Sequence, residues 1–503
     1  MTIKPAKPII SFVFKELFDK KIILSLLCAL ACLGIIIGCG QNSSSPDSDS
    51  STTTTTIAVV PITTSRIVPS NLTYLGAFKL PYVNEDDGEG TPVSWQYGGT
   101  GATFYPSGDP SGPADGFPGS IYAIGHDQTM YVSEISIPVP VISTSLADLN
   151  TAGTLRDFAN IRTGVTSIEA LWNAASLRYS DLAYLPTQAG QSSEKIYACW
   201  GAHAHSDDKN CPTHMWCDLD LTHGIGAWRI GPNEMDLLSS SDLLCEIPVS
   251  WANSQSSTSG KYLATGRYKE GGHAGQGPSV YAIAPWNDVP VSDDTIMTSV
   301  HLLGYSGTLG EGYDYGGGHT MTDYNDADEW NGMSWLRVGT KEALIFVGTK
   351  GHGTAWYGFS DGSVYNPDGS ITYTNGKTSP VPVDGNSEPY YPDPPNNERS
   401  FWSTSFEAEM IFYDPADLAA VARGTKYPYE PQPYATLSLD QYLYNIDKIN
   451  DPDHFPVTRN RHRMGACCYD STNHLLYVFE YRGEPDNAGF TDSNPIVHVF
   501  RVN

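Results

Sequence analysis

The stretch SIYAIGHD, Ser120 to Asp127, followed after two residues by MYVSEISIP, Met130 to Pro138, decides how this chain is read. An apolar run rich in β-branched and aromatic residues ends in glycine and polar groups. That is a strand and its turn, and the second phrase is an antiparallel partner. Gly101 to Pro106 supplies a strand ahead of them. The same three-part phrase returns four times. Its second copy is Tyr179 to Pro186, KIYACWGAH (195–203) and Met215 to Leu221. The third is Pro248 to Asn253, YLATGRY (262–268) and SVYAIAPW (279–286). The fourth is Met333 to Gly339, ALIFVGTK (343–350) and AEMIFYDP (408–415). The fifth is Arg463 to Tyr469, LLYVFEYR (475–482) and IVHVFRV (496–502).

Each copy makes a small sheet that is apolar on both faces, and such a sheet does not stay folded alone. Stacked radially, each buries its faces on its neighbours. The expected fold is therefore all-β, a five-bladed β-propeller. The irregular stretch between Lys350 and Arg482 leaves six or seven blades as the alternative. A β-sandwich or two stacked β domains is the competing architecture. LTYLGAFKLP (72–81) is a strand without a unit of its own, and pairing it with Ile496 to Val502 closes the ring and removes a free edge. The best helical window, Asp417 to Ala422, spans barely two turns.

Composition narrows the partners. The formal charge is −27, from 29 Lys and Arg against 56 Asp and Glu. Nucleic-acid binders need a basic footprint, so none is expected as a partner. The 48 Gly and 35 Pro make a turn-rich chain, and 30 Tyr with 11 Trp furnish a core. A monomer is expected.

The first residues read as an address. Lys4, Lys7, Lys15, Lys20 and Lys21 precede an uncharged run from Ile22 to Gly38, which ends in Ile36-Ile37-Gly38-Cys39. This resembles a bacterial lipobox, with Cys39 as the lipidated residue. Residues 1–38 are then a lipoprotein signal peptide, and 39–64 the lipidated Cys with a flexible Ser/Thr-rich tether. Residues 65–503 are the β-propeller domain. Gly40 is not Asp, which by resemblance favours the outer membrane or cell surface over inner-membrane retention. The membrane partner is the lipid anchor.

In a propeller, residues just past each second strand meet residues entering each first strand on one face. Here these are His126 and Asp127, His203 and His205, Arg267, Tyr268, Lys269 and His273, Lys350 and His352, and Arg482. The residues entering the first strands add Arg178, Arg399, Arg461, His462 and Arg463 to the same face, with Trp330 and Trp402 nearby. Clustered cations in an acidic chain point to an anion site. Arg with Tyr and Trp suits a sugar ring bearing carboxylate or sulfate. His and Tyr beside Arg could run β-elimination on a uronate. The alternative is that these cations pair with the many carboxylates and hold loops together.

Cys199, His203, His205, Cys211, His214, Cys217 and His223 form a Cys/His-dense stretch without standard zinc spacing. A structural zinc ion is one cofactor left open, and calcium at Asp86-Asp87 or Asp323 to Glu329 is another. Six body cysteines in an exported chain also fit disulfides. Cys199 and Cys217 are the pair expected within one hairpin. Ser360 to Asn397 reads as a surface insertion or lid, and its Gly358-Phe359-Ser360-Asp361-Gly362 as a turn rather than an esterase elbow.

YLGAFKLP (74–81), the stretch around GQGPSVYA (275–282), GTKGHGTAWYGF (348–359), FYDPADLAAVARG (412–424) and EPQPYATL (430–437) resemble segments of uncharacterised exported bacterial lipoproteins with β-propeller-type repeats. The resemblance implies the fold and carries no activity. Similarity to propeller polysaccharide lyases is one of architecture alone. The functional expectation is a lipid-anchored envelope propeller that binds an acidic polysaccharide and is equipped to cleave it by β-elimination. The alternative is a non-catalytic interaction module that docks an envelope protein. A cofactor-bearing propeller dehydrogenase is a third reading.

Overall fold

The repeated apolar phrases are strands with both faces covered. Ser120–Ile124, Leu263–Arg267 and Ser279–Ile283 are buried at every residue. The computed structural model describes residues 65–165, 177–188, 190–202, 211–285, 292–308, 312–378, 399–445, 464–484 and 494–503. The leader and tether through residue 64 lie outside the described residues, Cys39 included. So do His203, His205, Arg461, His462, Arg463 and most of the second half of the 360–397 insertion.

The described part is mostly β. Strands β2 (Ala102–Tyr105), β3 (Ser120–Ile124), β4 (Val132–Ser136) and β5 (Thr154–Ala159) form one antiparallel meander. A second comprises β6 (Leu177–Leu185), β7 (Lys195–Ala202), β8 (His214–Cys217) and β9 (Ile225–Gly231). A third has β10 (Leu243–Glu246), β11 (Leu263–Arg267), β12 (Ser279–Ile283) and β13 (Ile296–Leu303). Parallel pairing of β9 with β13 joins the second and third into one eight-stranded sheet. Its two end strands, β6 and β10, lie against each other, so this sheet nearly closes on itself like a barrel.

The fourth meander has β14 (Glu329–Val338), β15 (Lys341–Gly358), β16 (Ser400–Tyr413) and β17 (Ala435–Ser438). The last has β18 (Met464–Asp470), β19 (Leu475–Glu484) and β20 (Asn494–Val502). Its fourth strand is β1 (Leu72–Lys79), which pairs antiparallel with β20 from Leu72↔Val502 to Lys79↔Ile496. The pairing expected between the two ends of the body is present.

Two strand assignments needed correcting. The first strand of the third unit is Leu243–Glu246, while Val249–Asn253 is a short helix entered through Pro248. Proline holds φ near the helical value and lacks the N–H a strand partner needs. Each unit also has a fourth strand beyond the three-part phrase. The helical window is present as α-helix Pro415–Ala422, where the Asp414 side chain accepts the Ala416 N–H at 2.8 Å. The Gly358–Gly362 motif is a turn leading into a two-residue strand, Val364–Tyr365.

The first strands pack in turn: β2 on β6, β6 on β10, β10 on β14, β14 on β18, and β18 on β2. Glycines permit these approaches. A Cβ on Gly101 would sit 2.6 Å from the Asp181 Cα, and one on Gly332 would sit 2.8 Å from the Cys467 N. At the junction of three first strands lies Asp181, fully buried. Its Oδ1 accepts the N–H groups of Ala102 (3.1 Å) and Leu182 (2.8 Å), and its Oδ2 accepts that of Leu244 (2.9 Å). One carboxyl thereby ties β2, β6 and β10 together. Asp181→Ala would orphan three buried donors, each worth about 1–3 kcal/mol. The expected loss is about 3 kcal/mol or more in a denaturant titration. A loss under about 1 kcal/mol would show that the strands hold their places without it.

Candidate functional site

Of the cations expected to converge on a ligand, Arg267 and Lys350 lie inside the protein, each with its own carboxylate. Arg267 is 0% exposed, and its Nε lies 3.0 Å from Asp242 Oδ2. The strand register explains this. Leu243 pairs with Gly266, so Asp242, just ahead of β10, faces Arg267 at the end of β11. The same geometry recurs one unit on. Glu329 pairs with Thr349, which sets Asp328 opposite Lys350. Lys350 Nζ is 2.8 Å from Asp328 Oδ1, and burial pushes the Asp328 carboxyl up to about 6.

Tyr268, Lys269 and His126 are also buried. His126 accepts the Gln128 N–H on Nδ1 at 3.1 Å, and Asp127, beside it, is half-exposed. His126 and Arg482 do come together around Tyr97. The imidazole meets that ring edge-on at 5.4 Å, and the guanidinium lies over it at 5.1 Å. His352 is exposed, with Nε2 2.8 Å from Glu407 Oε2. It shares with Lys350 and Trp330 a side groove of about 480 Å³. His273 meets Phe401 edge-on at 6.4 Å, and Arg399 lies over Tyr365 at 4.1 Å. Trp330 and Trp402 are core residues. The expected convergence is thus partial: two pairs gather, while Arg267 and Lys350 are held by buried carboxylates.

The cysteine readings also change. All six body cysteines are free thiols. Cys199 is opposite His214, whereas Cys217 is opposite Ile196. Positions 196 and 199 differ by an odd number, so Cys199 and Cys217 point to opposite faces and share neither a disulfide nor a metal. His214 is buried, its two ring nitrogens meet the hydroxyls of Thr213 (2.9 Å) and Thr265 (2.8 Å), and burial lowers its pKa to about 3. Cys211 is partly buried beside this core. Among the described residues, the side chains of metal-binding type close enough to share one ion are Asp218, Asp220 and His223, in an exposed turn after β8. Asp218 there already holds Lys195 and His223. Of the proposed calcium loops, Asp87 accepts its own turn's N–H groups from Glu89 and Thr91, and Asp328 is the Lys350 partner.

A different place has the geometry of a site. The five first strands enclose a cavity of about 500 Å³. Each contributes to its wall: Ala102 to Phe104, Leu182 to Tyr184, Leu244 to Glu246, Met333 to Trp335, and Cys467 to Asp470. Asp181 lies at the end of the wall marked by Ala102, Leu182 and Leu244, whose N–H groups it accepts. The cavity extends toward the C-terminal ends of the strands, where Pro106, Pro186, Pro248, Gly339 and the Asp470–His474 turn lie. That is the end away from Arg267 and Lys350.

Most polar groups of the wall are occupied. Tyr184 donates its hydroxyl to Glu194, and Tyr469 donates to the Arg337 carbonyl at 2.8 Å. Arg337 pairs with Glu342 at 3.3 Å and donates to Ser250. Asp470 accepts the N–H groups of Thr472 (2.9 Å) and Asn473 (3.0 Å) and the Asn473 amide at 2.7 Å. Burial keeps the thiols of Cys245, Cys467 and Cys468 protonated. Glu246 differs: among the described residues its carboxyl has no hydrogen bond or ion pair. Glu246 lines the cavity and is exposed to solvent, and the protein packed around its carboxyl pushes it up to about 7. Glu246, Tyr184, Arg337, Asp470 and His474 carry no motif in the sequence; their signal is position, at or just past the far ends of the first strands, whereas the conspicuous cations lie at the near ends.

The chain matches no protein-family model and no curated protein sequence.

Two tests separate scaffold from site. Arg267→Ala leaves the Asp242 charge buried and unpaired, so stability should fall by about 3–5 kcal/mol, and Arg267→Met with Asp242→Leu should recover most of it. A fully stable Arg267→Ala variant would place Arg267 outside the scaffold. Glu246 has the opposite sign. Its folded pKa lies above the unfolded value of about 4.3, so the folded state holds the proton more tightly. Stability should fall as pH rises from about 4.3 to 7. Glu246→Gln should therefore melt higher than the parent at pH 8 and equally at pH 4. A lower melting temperature at pH 8 would mean the carboxylate is stabilising.

Proposed function

We propose that the chain is a five-bladed β-propeller of the cell envelope, lipid-anchored through Cys39, which binds a glycan in its central cavity without cleaving it. The cyclic packing of the first strands and the β1–β20 pairing support five blades and a closed ring. The observation that carries the functional reading is the cavity wall, with Tyr184, Trp335 and Tyr469 beside Glu246, Arg337, Asp470 and His474. Sugars present apolar C–H faces and many hydroxyls, so they suit aromatic rings interleaved with polar groups. A cavity of this size admits one or two sugar residues, which fits recognition of a chain end.

β-Elimination is not part of this reading. It relied on Arg267 and Lys350, and both are held by buried carboxylates. Hydrolysis by paired carboxyls is disfavoured as well, because Asp470 is committed to its own turn. The charge of −27 speaks against nucleic acid, and the chain acts in this reading as a monomer on the outer membrane or cell surface.

Retention on an immobilised glycan panel tests the proposal. Tyr184→Ala should weaken retention about tenfold, the loss of roughly 1.4 kcal/mol of ring contact, measured well below the lowered melting temperature that loss of its core packing and Glu194 bond brings. A panel in which nothing is retained, or retention indifferent to Tyr184, would reject it. Capture of an envelope protein with no glycan retained would favour the docking module instead.

A further inference from the structure

We propose that the ligand of the central cavity carries an ammonium group, held by the Glu246 carboxylate against the aromatic wall. This rests on the cavity reading above and names its ligand class as an amino sugar with a free amine. The chain pairs its buried cations carefully: Arg267 with Asp242, Lys350 with Asp328. The cavity's own charged groups follow the same rule, with Arg337 on Glu342 and Asp470 in its turn. Glu246 is the exception. It lines the cavity and meets solvent there with no hydrogen bond or ion pair among the described residues, so a cation entering the cavity finds a carboxyl free to pair with it.

The partner is an organic cation rather than a metal. An ion needs several ligands at once, and among the described residues Glu246 belongs to no group of three or more His, Cys, Asp or Glu side chains close enough to share one. Tyr184, Trp335 and Tyr469 instead supply π faces, which attract ammonium groups. The chain's overall negative charge raises the local concentration of any cationic ligand.

The titratable groups around Glu246 are Tyr184 with Glu194 from the second unit, Cys245 beside it, Arg337 with Glu342 from the fourth, and Cys467, Cys468, Tyr469, Asp470 and His474 from the last. A probe with a permanent charge isolates their contribution. Because burial pushes the Glu246 carboxyl up to about 7, affinity for such a probe should rise up to tenfold per pH unit below 7 and level off above it.

The experiment measures binding of the full-length protein in detergent to three short β-1,4-linked oligomers: glucosamine, its N-acetylated form and its N-trimethylated form. The free and trimethylated amines should bind at least tenfold tighter than the N-acetylated oligomer at pH 8. Glu246→Gln should remove that preference and flatten the pH dependence of the trimethylated probe. Equal binding of the acetylated and free forms overturns the ammonium inference and leaves the glycan cavity standing. A preference that survives Glu246→Gln assigns it to the acidic surface and also overturns the inference. If none of the three binds and no glycan of the panel is retained, the cavity reading falls as well.

Discussion

The first strands of three meanders meet at one buried carboxyl, and the rest of the molecule is arranged around that meeting. Asp181 is cut off from water, which makes its charged form expensive and pushes its pKa well up. It is retained because Ala102, Leu182 and Leu244 aim their N–H groups at it from three strands. Such a contact fixes the height of each strand relative to the others, which apolar packing alone does loosely. The close approach also explains Gly101, since any side chain there would strike Asp181. The central cavity exists because the strands are pinned at this end and free to diverge at the other.

The same device recurs in the remaining units. Arg267 with Asp242, Lys350 with Asp328, and His498 with Glu480 at 2.9 Å each join strands within a sheet near its inner edge. Glu480 also accepts the N–H groups of Tyr444 and Asn445, tying in a distant segment. Buried pairs of this kind add little net stability compared with apolar residues of like volume, but breaking one is costly. Their effect here is on register. A one-residue slip of β10 against β11 would separate Asp242 from Arg267 and strand both charges.

Much of this was legible in the chain. The runs that read as strands, such as SIYAIGHD and LLYVFEYR, are apolar on both faces, and only sheets sandwiched between sheets bury both. Among the strands beyond the three-part phrase, Thr154–Ala159 and Ala435–Ser438 have no fully buried residue, so their composition resembles that of loops. Pro248 to Asn253 misled through Val249 and Trp251, which favour strands, although Pro248 starts a helix. The cationic cluster was misjudged for a related reason. Arg267 and Lys350 were read as neighbours of other cations, while Asp242 and Asp328 sat one register step away, directly ahead of the first strands. Pairing the first two strands of each unit before counting charges would have revealed both ion pairs.

That lesson bears on where function resides. Charge that reads as conspicuous in sequence is often charge already neutralised in the fold, because a buried cation has to bring its partner with it. The informative group is the one whose partner is missing. Glu246 ends its strand at the cavity, on the same meander that buries Arg267 at the opposite end, and the two residues differ in just this respect. A chain that meets Arg267 and Lys350 with buried carboxylates, yet leaves the Glu246 carboxyl without a partner among the described residues, places an unbalanced charge at the cavity. In the proposed reading, a cationic ligand would balance that charge, as is common at sites that trade stability for recognition.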